Sequence, residues 1–279
     1  MNSDPRDFVF TRYDARHGIT WLGQAYALFR RKRLPWVMLL LTYYILLRLL
    51  LIVPVIGPFA ITILKPVFAV GLLAAAWTQE RGGTPALNQL FQGFRANLVS
   101  LVSIGIFFVA GVTLAVFASS LVDGGKLLDL LSGRGEMTDQ EVVTALSDGA
   151  LQAGMLFSAL LSIPVLIATW WAPALVVFQN ASASAALVVS LRAAIANWRP
   201  LAIYGLGVFF YGALLPAMVT GAITMLLPPA IAQVFALGIL LPYGIFLAAT
   251  LHISDYVSYR EVFHAGETLA PLSGNPDAG

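Results

Sequence analysis

The sequence contains no cysteine, which removes disulfides, thiolate nucleophiles and cysteine-ligated metals from consideration. It is also poor in charge. Asp, Glu, Lys and Arg make up 11% of the residues and hydrophobic types 59%, whereas soluble domains carry about a quarter charged residues. The three histidines, His17, His252 and His264, are scattered, and no His-x-x-x-His or accompanying glutamate stands at zinc spacing. A net charge of +2 without one concentrated basic patch gives no electrostatic reason to expect nucleic acid as a partner. Gly82-Gly83, Gly124-Gly125 and Gly133-Arg134-Gly135 lack the lysine and spacing of phosphate loops and read as turns. These absences leave no catalytic residue, cofactor or metal to nominate, and they describe a chain for which water is not the main solvent.

What the chain has instead is long apolar runs. Arg30-Arg31-Lys32-Arg33 precede residues 34–55, in which Arg48 is the one charge, and Gly57-Pro58 closes the stretch. About 20 such residues cross a bilayer core, and the basic cluster before them is expected to stay in the cytoplasm. The run is too long for a signal peptide, begins far from Met1 and lacks a small-x-small cleavage site before Pro58, so it reads as a retained helix. Further runs follow at about 59–78, 98–121, 150–178, 201–226 and 230–253. The expected fold class is all-α, a polytopic membrane bundle of six transmembrane helices.

Six crossings that start inside put seven Lys/Arg residues before Leu34, then Arg81, Arg95, Arg192, Arg199 and Arg260, on the cytoplasmic side, and only Lys126 and Arg134 outside. That asymmetry predicts a multi-pass protein of the bacterial inner membrane with both termini cytoplasmic. Residues 1–17 read as a loosely ordered tail, 18–263 as the transmembrane domain and 264–279 as a disordered tail. Residues 122–148 form an acidic periplasmic loop holding Asp123, Asp129, Glu136, Asp139, Glu141 and Asp148. Within it, Thr138-Asp139-Gln140-Glu141 has the form of a capping box and predicts a short helix.

Amphipathic stretches precede spans one, three and five, giving three surface-helix-plus-hairpin units. The first carries a stripe of Trp21, Leu22, Ala25, Leu28 and Phe29 and is expected to lie along the inner membrane surface. The second opens with Thr84-Pro85 and carries Leu87, Leu90, Phe91, Phe94 and Leu98. The third presents Leu187, Leu191, Ile195 and Trp198, with Ser184, Arg192 and Asn197 turned away. Each returning span holds proline, namely Pro66, then Pro164 and Pro173, then Pro242, and a kink is expected in each.

Charge inside a membrane is costly and marks function. Two residues qualify. Arg48 lies nearer the outer end of its span and suits snorkelling to the outer headgroups. Lys65 falls near the middle of the second span, with no Asp or Glu at its depth, which excludes a carboxylate proton relay and leaves an anion or lipid phosphate, backbone, Tyr43, Tyr44 or water as its company. His252 and Asp255 share a helix face at the inner boundary, where an acid–base pair competes with an interfacial cap made with Tyr256, Tyr259 and Arg260. Arg30, Arg31, Lys32, Arg33, Arg95 and Arg192, with His252 and Asp255, form a candidate cytoplasmic interface. Gly71 with Ala75 and Ala217 with Gly221 allow close helix contact. Trp170, Trp171 and Trp198 suit an interfacial belt. Asn180-Ala181-Ser182 fits a glycosylation pattern on the wrong side of the membrane.

Four stretches carry a resemblance: His17-Gly18-Ile19-Thr20-Trp21-Leu22 with Phe29-Arg30-Arg31, the Val53-Pro54-x-x-Gly57-Pro58 turn, Trp171-Ala172-Pro173-Ala174-Leu175-Val176, and Tyr256-Val257-Ser258-Tyr259-Arg260-Glu261-Val262-Phe263. With these the chain resembles an uncharacterised family of proteobacterial inner-membrane proteins from about Gly18 to Phe263. More loosely, the surface-helix-plus-hairpin pattern is similar to the membrane domain of some bacterial glycerophosphodiester phosphodiesterases. That likeness implies architecture only, because no part of their metal-binding catalytic barrel is present. The expected role is that of a non-catalytic envelope component whose partners are membrane lipids, anionic ones included, or another membrane protein. The alternative is a transporter or lipid-translocating module using a cavity near Lys65.

Overall fold

Six helices in the computed structural model are long and apolar enough to cross a bilayer, and they begin where basic, capping or proline-rich sequence gives way to aliphatic runs. The structure describes residues 8–54, 56–132 and 144–264, and no strand occurs among them. Helix α1 (His17–Arg31) leads into the first hairpin, α2 (Arg33–Leu50) and α3 (Ile56–Glu80). A 3-10 turn (Leu87–Phe91) and the short α4 (Gln92–Arg95) lead into α5 (Leu98–Asp123), followed by α6 (Lys126–Ser132) and the returning pair α7 (Gly149–Trp170) and α8 (Ala172–Phe178). Helix α9 (Ala183–Ala196) leads into α10 (Trp198–Phe209), a π-turn (Phe210–Leu214), α11 (Leu215–Leu226) and the long α12 (Pro229–Phe263). The capping box at Thr138 and the tail from 265 onward lie outside the described residues.

Local chemistry sets the boundaries. Asn97 starts α5 by accepting from Ser100 N, and Asp148 starts α7 by accepting from Ala150 N and Leu151 N, which satisfies amides that have no partner in a first turn. The 3-10 turn is held by Gln89, whose side-chain oxygen accepts from Ala86 N. The π-turn was not foreseen. It precedes Pro216, which lacks an N–H and crowds the carbonyl one turn back, and Tyr243 from α12 donates to the exposed carbonyl of Tyr211 at 2.5 Å.

Of the prolines expected to kink the returning spans, only Pro173 accompanies a break, and Pro164 sits inside the continuous α7. Pro66 and Pro242 sit inside continuous helices, whereas α7 ends at Trp170 and α8 restarts with Pro173 in its first turn. The Ser190 hydroxyl fills the gap: it accepts from Trp171 N at 3.2 Å and donates to Ile167 O at 2.9 Å, the two groups that would bond in an unbroken helix.

Spans two and four form the centre, with 56% and 50% of their apolar windows buried, against 22% for spans one and three and 6% and 11% for five and six. Helix α5 packs between α3 and α7, α10 packs chiefly with α1, and α11 packs with α12. The outward surface is aliphatic, with Leu114, Leu121, Met225 and Val234 largely exposed, as expected where lipid is the solvent.

The amphipathic stretches depart from expectation. The α1 stripe is buried against α10 and α12 rather than lying on the membrane surface, because Gly18 lets the helices touch: a Cβ there would stand 2.2 Å from Pro200 O. In α9 the small residues Ala185, Ala186, Ser190, Ala193 and Ala194 are buried, while Ile195 and Trp198 of the expected apolar face are exposed. Residue size, not hydrophobicity, chooses the protein-facing side when lipid competes for the greasy one. Residues 8–14, expected to be loose, are held by Thr11 N donating to Val262 O at 2.7 Å and by Asn197, which accepts from Tyr13 N and donates to Thr11 O.

The first hairpin is offset toward the basic end. A Cβ on Gly105 would lie 2.1 Å from Ile63 O, which fixes the α3–α5 register. From that crossing α5 runs about 27 Å to Asp123 while α3 runs about 10 Å back to Ile56, at about 1.5 Å per residue. A second register agrees: Tyr43 packs against His252, and from there α12 extends about 35 Å back to Pro229 but α2 only about 10 Å on to Leu50.

Candidate functional site

A polar knot closes the basic end of the bundle. The Trp21 indole donates to Glu261 Oε2 at 2.8 Å and Gln24 Nε2 to Glu261 Oε1 at 2.6 Å. Arg260 pairs with Glu80 and donates to Gln24 Oε1 at 2.7 Å, and Tyr256 donates to Glu80 Oε2 at 2.6 Å. The Tyr13 hydroxyl donates to Glu261 O, and burial followed by the Glu261 charge raises its pKa, so it stays a donor. One layer deeper, Trp171 Nε1 donates to Ser258 Oγ at 3.0 Å and Trp36 Nε1 to Gln79 Oε1 at 2.5 Å, with Gln79 Nε2 bonded to Leu28 O. The knot's two carboxylates share the one guanidinium of Arg260 and are otherwise met by indole, amide and phenol donors. It fixes the ends of α1, α3 and α12 together and presents no activated nucleophile.

Below the knot lies a cavity of about 30 Å³, room for about two water-sized groups. Its walls come from the returning span of each unit: Ala69, Leu72 and Leu73 of α3, Trp170, Pro173 and Ala174 at the α7–α8 break, and His252 and Asp255 of α12. His252 Nδ1 and Asp255 Oδ2 are 3.9 Å apart, beyond direct hydrogen-bond reach. The cap expected for this pair does not form, since Tyr256 and Arg260 turn to Glu80 and Tyr259 to His264. His252 packs edge-on against Tyr43, ring centroids 5.9 Å apart. No cluster of three metal-ligating side chains occurs among the described residues.

No protein-family model matches the chain, and no solved structure matches it. Over 265 residues the chain is 31% identical to a protein of Burkholderia thailandensis named as a probable inner membrane protein, covering 94% of this chain and 96% of that one. The chain belongs to this inner-membrane family. That relative's name and the six membrane-capable helices together make this protein an integral, multi-pass, helical protein of the inner membrane.

In this inner membrane protein three of the four stretches carrying the resemblance, those at Trp21, Trp171 and Tyr256–Phe263, meet in the knot: the Trp171 ring packs edge-on against both Trp21 and Phe263. Trp171 is therefore core rather than belt, Trp170 is half-buried and Trp198 alone of the three is exposed. Glu80, Gln24, Gln79 and Glu261 escaped sequence reasoning. Their signal was that they are polar residues at the ends of apolar stripes, and Glu261 also lies in the Tyr256–Phe263 stretch that carries the resemblance.

The remaining nominated residues are spread out. Arg30, Arg31, Arg33, Arg95 and Arg192 are exposed at or near the basic end and make no ion pair among the described residues, and Lys32 donates to Thr84 Oγ1 at 3.2 Å. Three exposed arginines cover aromatic rings: Arg30 over Tyr26, Arg81 over Trp77 and Arg199 over Trp198. Lys65 is exposed, lies over the Phe108 ring at 6.0 Å and is not part of the cavity wall. Arg48 is exposed in the last turn of α2, where its charge opposes the negative end of the helix dipole. Gly71 packs on Leu90, but a Cβ at Gly221 would meet nothing within 4 Å, so the pair with Ala217 makes no such contact.

Proposed function

We propose that this protein is a non-catalytic envelope component whose basic end faces the cytoplasm and holds the anionic phospholipids of the inner leaflet. The supporting observation is the set of exposed arginines near the starts and ends of the spans, Arg30, Arg31, Arg33, Arg81, Arg95, Arg192 and Arg199, which make no ion pair among the described residues. Of the acids at this end, Glu80 and Glu261 are taken up in the knot, Asp14 pairs with His17 and Asp255 lines the cavity, so the arginines dominate the outward charge. Guanidinium groups bind phosphate bidentately, and a basic residue at an anionic surface contributes about 1 kcal/mol. The arginine–aromatic pairs suit the headgroup layer, where amphipathic rings settle. The test is native mass spectrometry of the full chain extracted from bacterial membranes, beside a variant with Arg95, Arg192 and Arg199 changed to Gln. Retained phosphatidylglycerol or cardiolipin in the parent, reduced in the variant, is the expected result. Recovery of no anionic lipid, or of a stoichiometric protein partner in its place, would overturn the reading.

A further inference from the structure

Three features single out the cavity between the returning spans. Its polar members have no hydrogen-bond partner among the described residues: the side chains of His252 and Asp255 make none, the Trp170 indole N–H is buried without an acceptor, and all three line the same space. It lies at headgroup depth, since His252 stands about 35 Å along α12 from Pro229 and Trp170 about 32 Å along α7 from Gly149, against a hydrocarbon core about 30 Å thick. It is also open to the surroundings, with side-chain exposures of 23% for His252 and 42% for Asp255.

The chemistry of these atoms selects a cation that donates hydrogen bonds. An imidazole nitrogen and a carboxylate oxygen 3.9 Å apart are both acceptors when the His252 proton is on Nε2, and one donor group set between them reaches each at ordinary length. A primary ammonium has three donors and one positive charge to set against Asp255, and aromatic walls such as Trp170 favour a cation. The free space of about 30 Å³ takes an ammonium and its methylene but not the three methyl groups of a trimethylammonium.

We propose that this cavity binds the ethanolamine headgroup of inner-leaflet phosphatidylethanolamine, its ammonium bridging His252 Nδ1 and Asp255 Oδ2. The membrane source is favoured because the other walls, Ala69, Leu72, Leu73, Pro173 and Ala174, are apolar and line a cavity at the level where acyl chains meet headgroups. The inference rests on the lipid-binding, basic-end-inward reading above and adds a second headgroup chemistry at a separate site.

The test titrates the detergent-purified full chain with short-chain phosphatidylethanolamine, phosphatidylcholine and phosphatidylglycerol, read by native mass spectrometry, with soluble phosphoethanolamine as a competitor. Phosphatidylethanolamine should bind about tenfold more tightly than phosphatidylcholine, and Asp255→Asn should remove that preference, as loss of one charge-assisted hydrogen bond implies. Ala69→Leu, which fills the cavity and leaves both polar groups in place, should remove it too. Phosphatidylglycerol retention should be unchanged in both variants, which separates failure here from failure of the basic-end reading. Equal binding of the ethanolamine and choline lipids, or a preference that survives both substitutions, would overturn the proposal, and so would displacement by soluble phosphoethanolamine at equal concentration.

Discussion

Trp21 and Glu261, 240 residues apart, are joined by a 2.8 Å hydrogen bond that ties the first helix of the chain to the last. Glu261 also accepts from Gln24 and lies near Arg260, so removing its carboxylate strands two donors at once and takes away the second of two carboxylates near the guanidinium, which keeps Glu80. Glu261→Ala is expected to cost about 2–4 kcal/mol, since each buried polar group left unsatisfied costs about 1–3 kcal/mol. Glu261→Gln, which still offers one acceptor oxygen, should lose less. Melting of the detergent-solubilised protein checks both, and in a double-mutant cycle Trp21→Phe should show little further effect once Glu261 is Ala.

Gly105 is expected to tolerate nothing larger. Its missing Cβ is what lets α5 lie on the backbone of Ile63, and Gly105→Ala must push apart helices that hold spans two and three together, at a cost of about 1–3 kcal/mol. Gly205 is the control: a Cβ there meets nothing within 4 Å, and Gly205→Ala should be neutral or slightly stabilising through helix propensity. Equal melting temperatures for the two variants would refute the α3–α5 register.

At the acidic end, Asp148 caps α7 and bonds Lys126 at 2.6 Å. The Lys126 hydrogen bond, reinforced by the amide of Leu151, holds the Asp148 carboxyl below the usual carboxylate range. A carboxyl depressed by folding contributes stability that is present above its unfolded pKa and is lost as pH falls through its folded pKa. Melting of the parent should therefore fall more than that of Asp148→Ala as pH is lowered from 6 through the acid range, and the gap between them should close. A gap independent of pH would mean that the carboxylate contributes nothing as a charge.

The number of apolar helices and the charge asymmetry were legible from the sequence because both depend on composition along a window about 20 residues long. Which face of each helix meets protein was not. The α1 stripe reads the same whether it faces lipid or α12, and only the contact at Gly18 distinguishes them. In α9 the larger apolar residues pointed to the wrong face, because lipid accepts Ile195 and Trp198 as readily as a core does, while close approach of helices demands Ala186 and Ala193. The candidate site was half visible: His252 and Asp255 stood out as a pair, but the cavity they share with Trp170 and Ala69 depends on distances in sequence that no local pattern encodes.

The offset of the first hairpin carries the last prediction. If the bilayer is placed on α5, α7, α10–α11 and α12, the turn after Leu50 stops about 16 Å short of the acidic end, inside the hydrocarbon. A turn at that depth must satisfy its own backbone, and among its described residues the amides of Leu51, Ile52, Val53, Ile56 and Gly57 all bond to carbonyls of residues 48–54, while Pro54 and Pro58 have no N–H to satisfy. Its side chains agree, since Ile52, Val53 and Ile56 are exposed and no polar residue stands between Leu49 and Ile61. The absence of native cysteine makes the experiment clean. A single cysteine at Lys126 should react with a membrane-impermeant maleimide in spheroplasts, one at Arg95 only after lysis, and one at Ile52 from neither side. Labelling at Ile52 as fast as at Lys126 would show that the hairpin crosses completely and that the register read from Gly105 and Tyr43 does not set its depth.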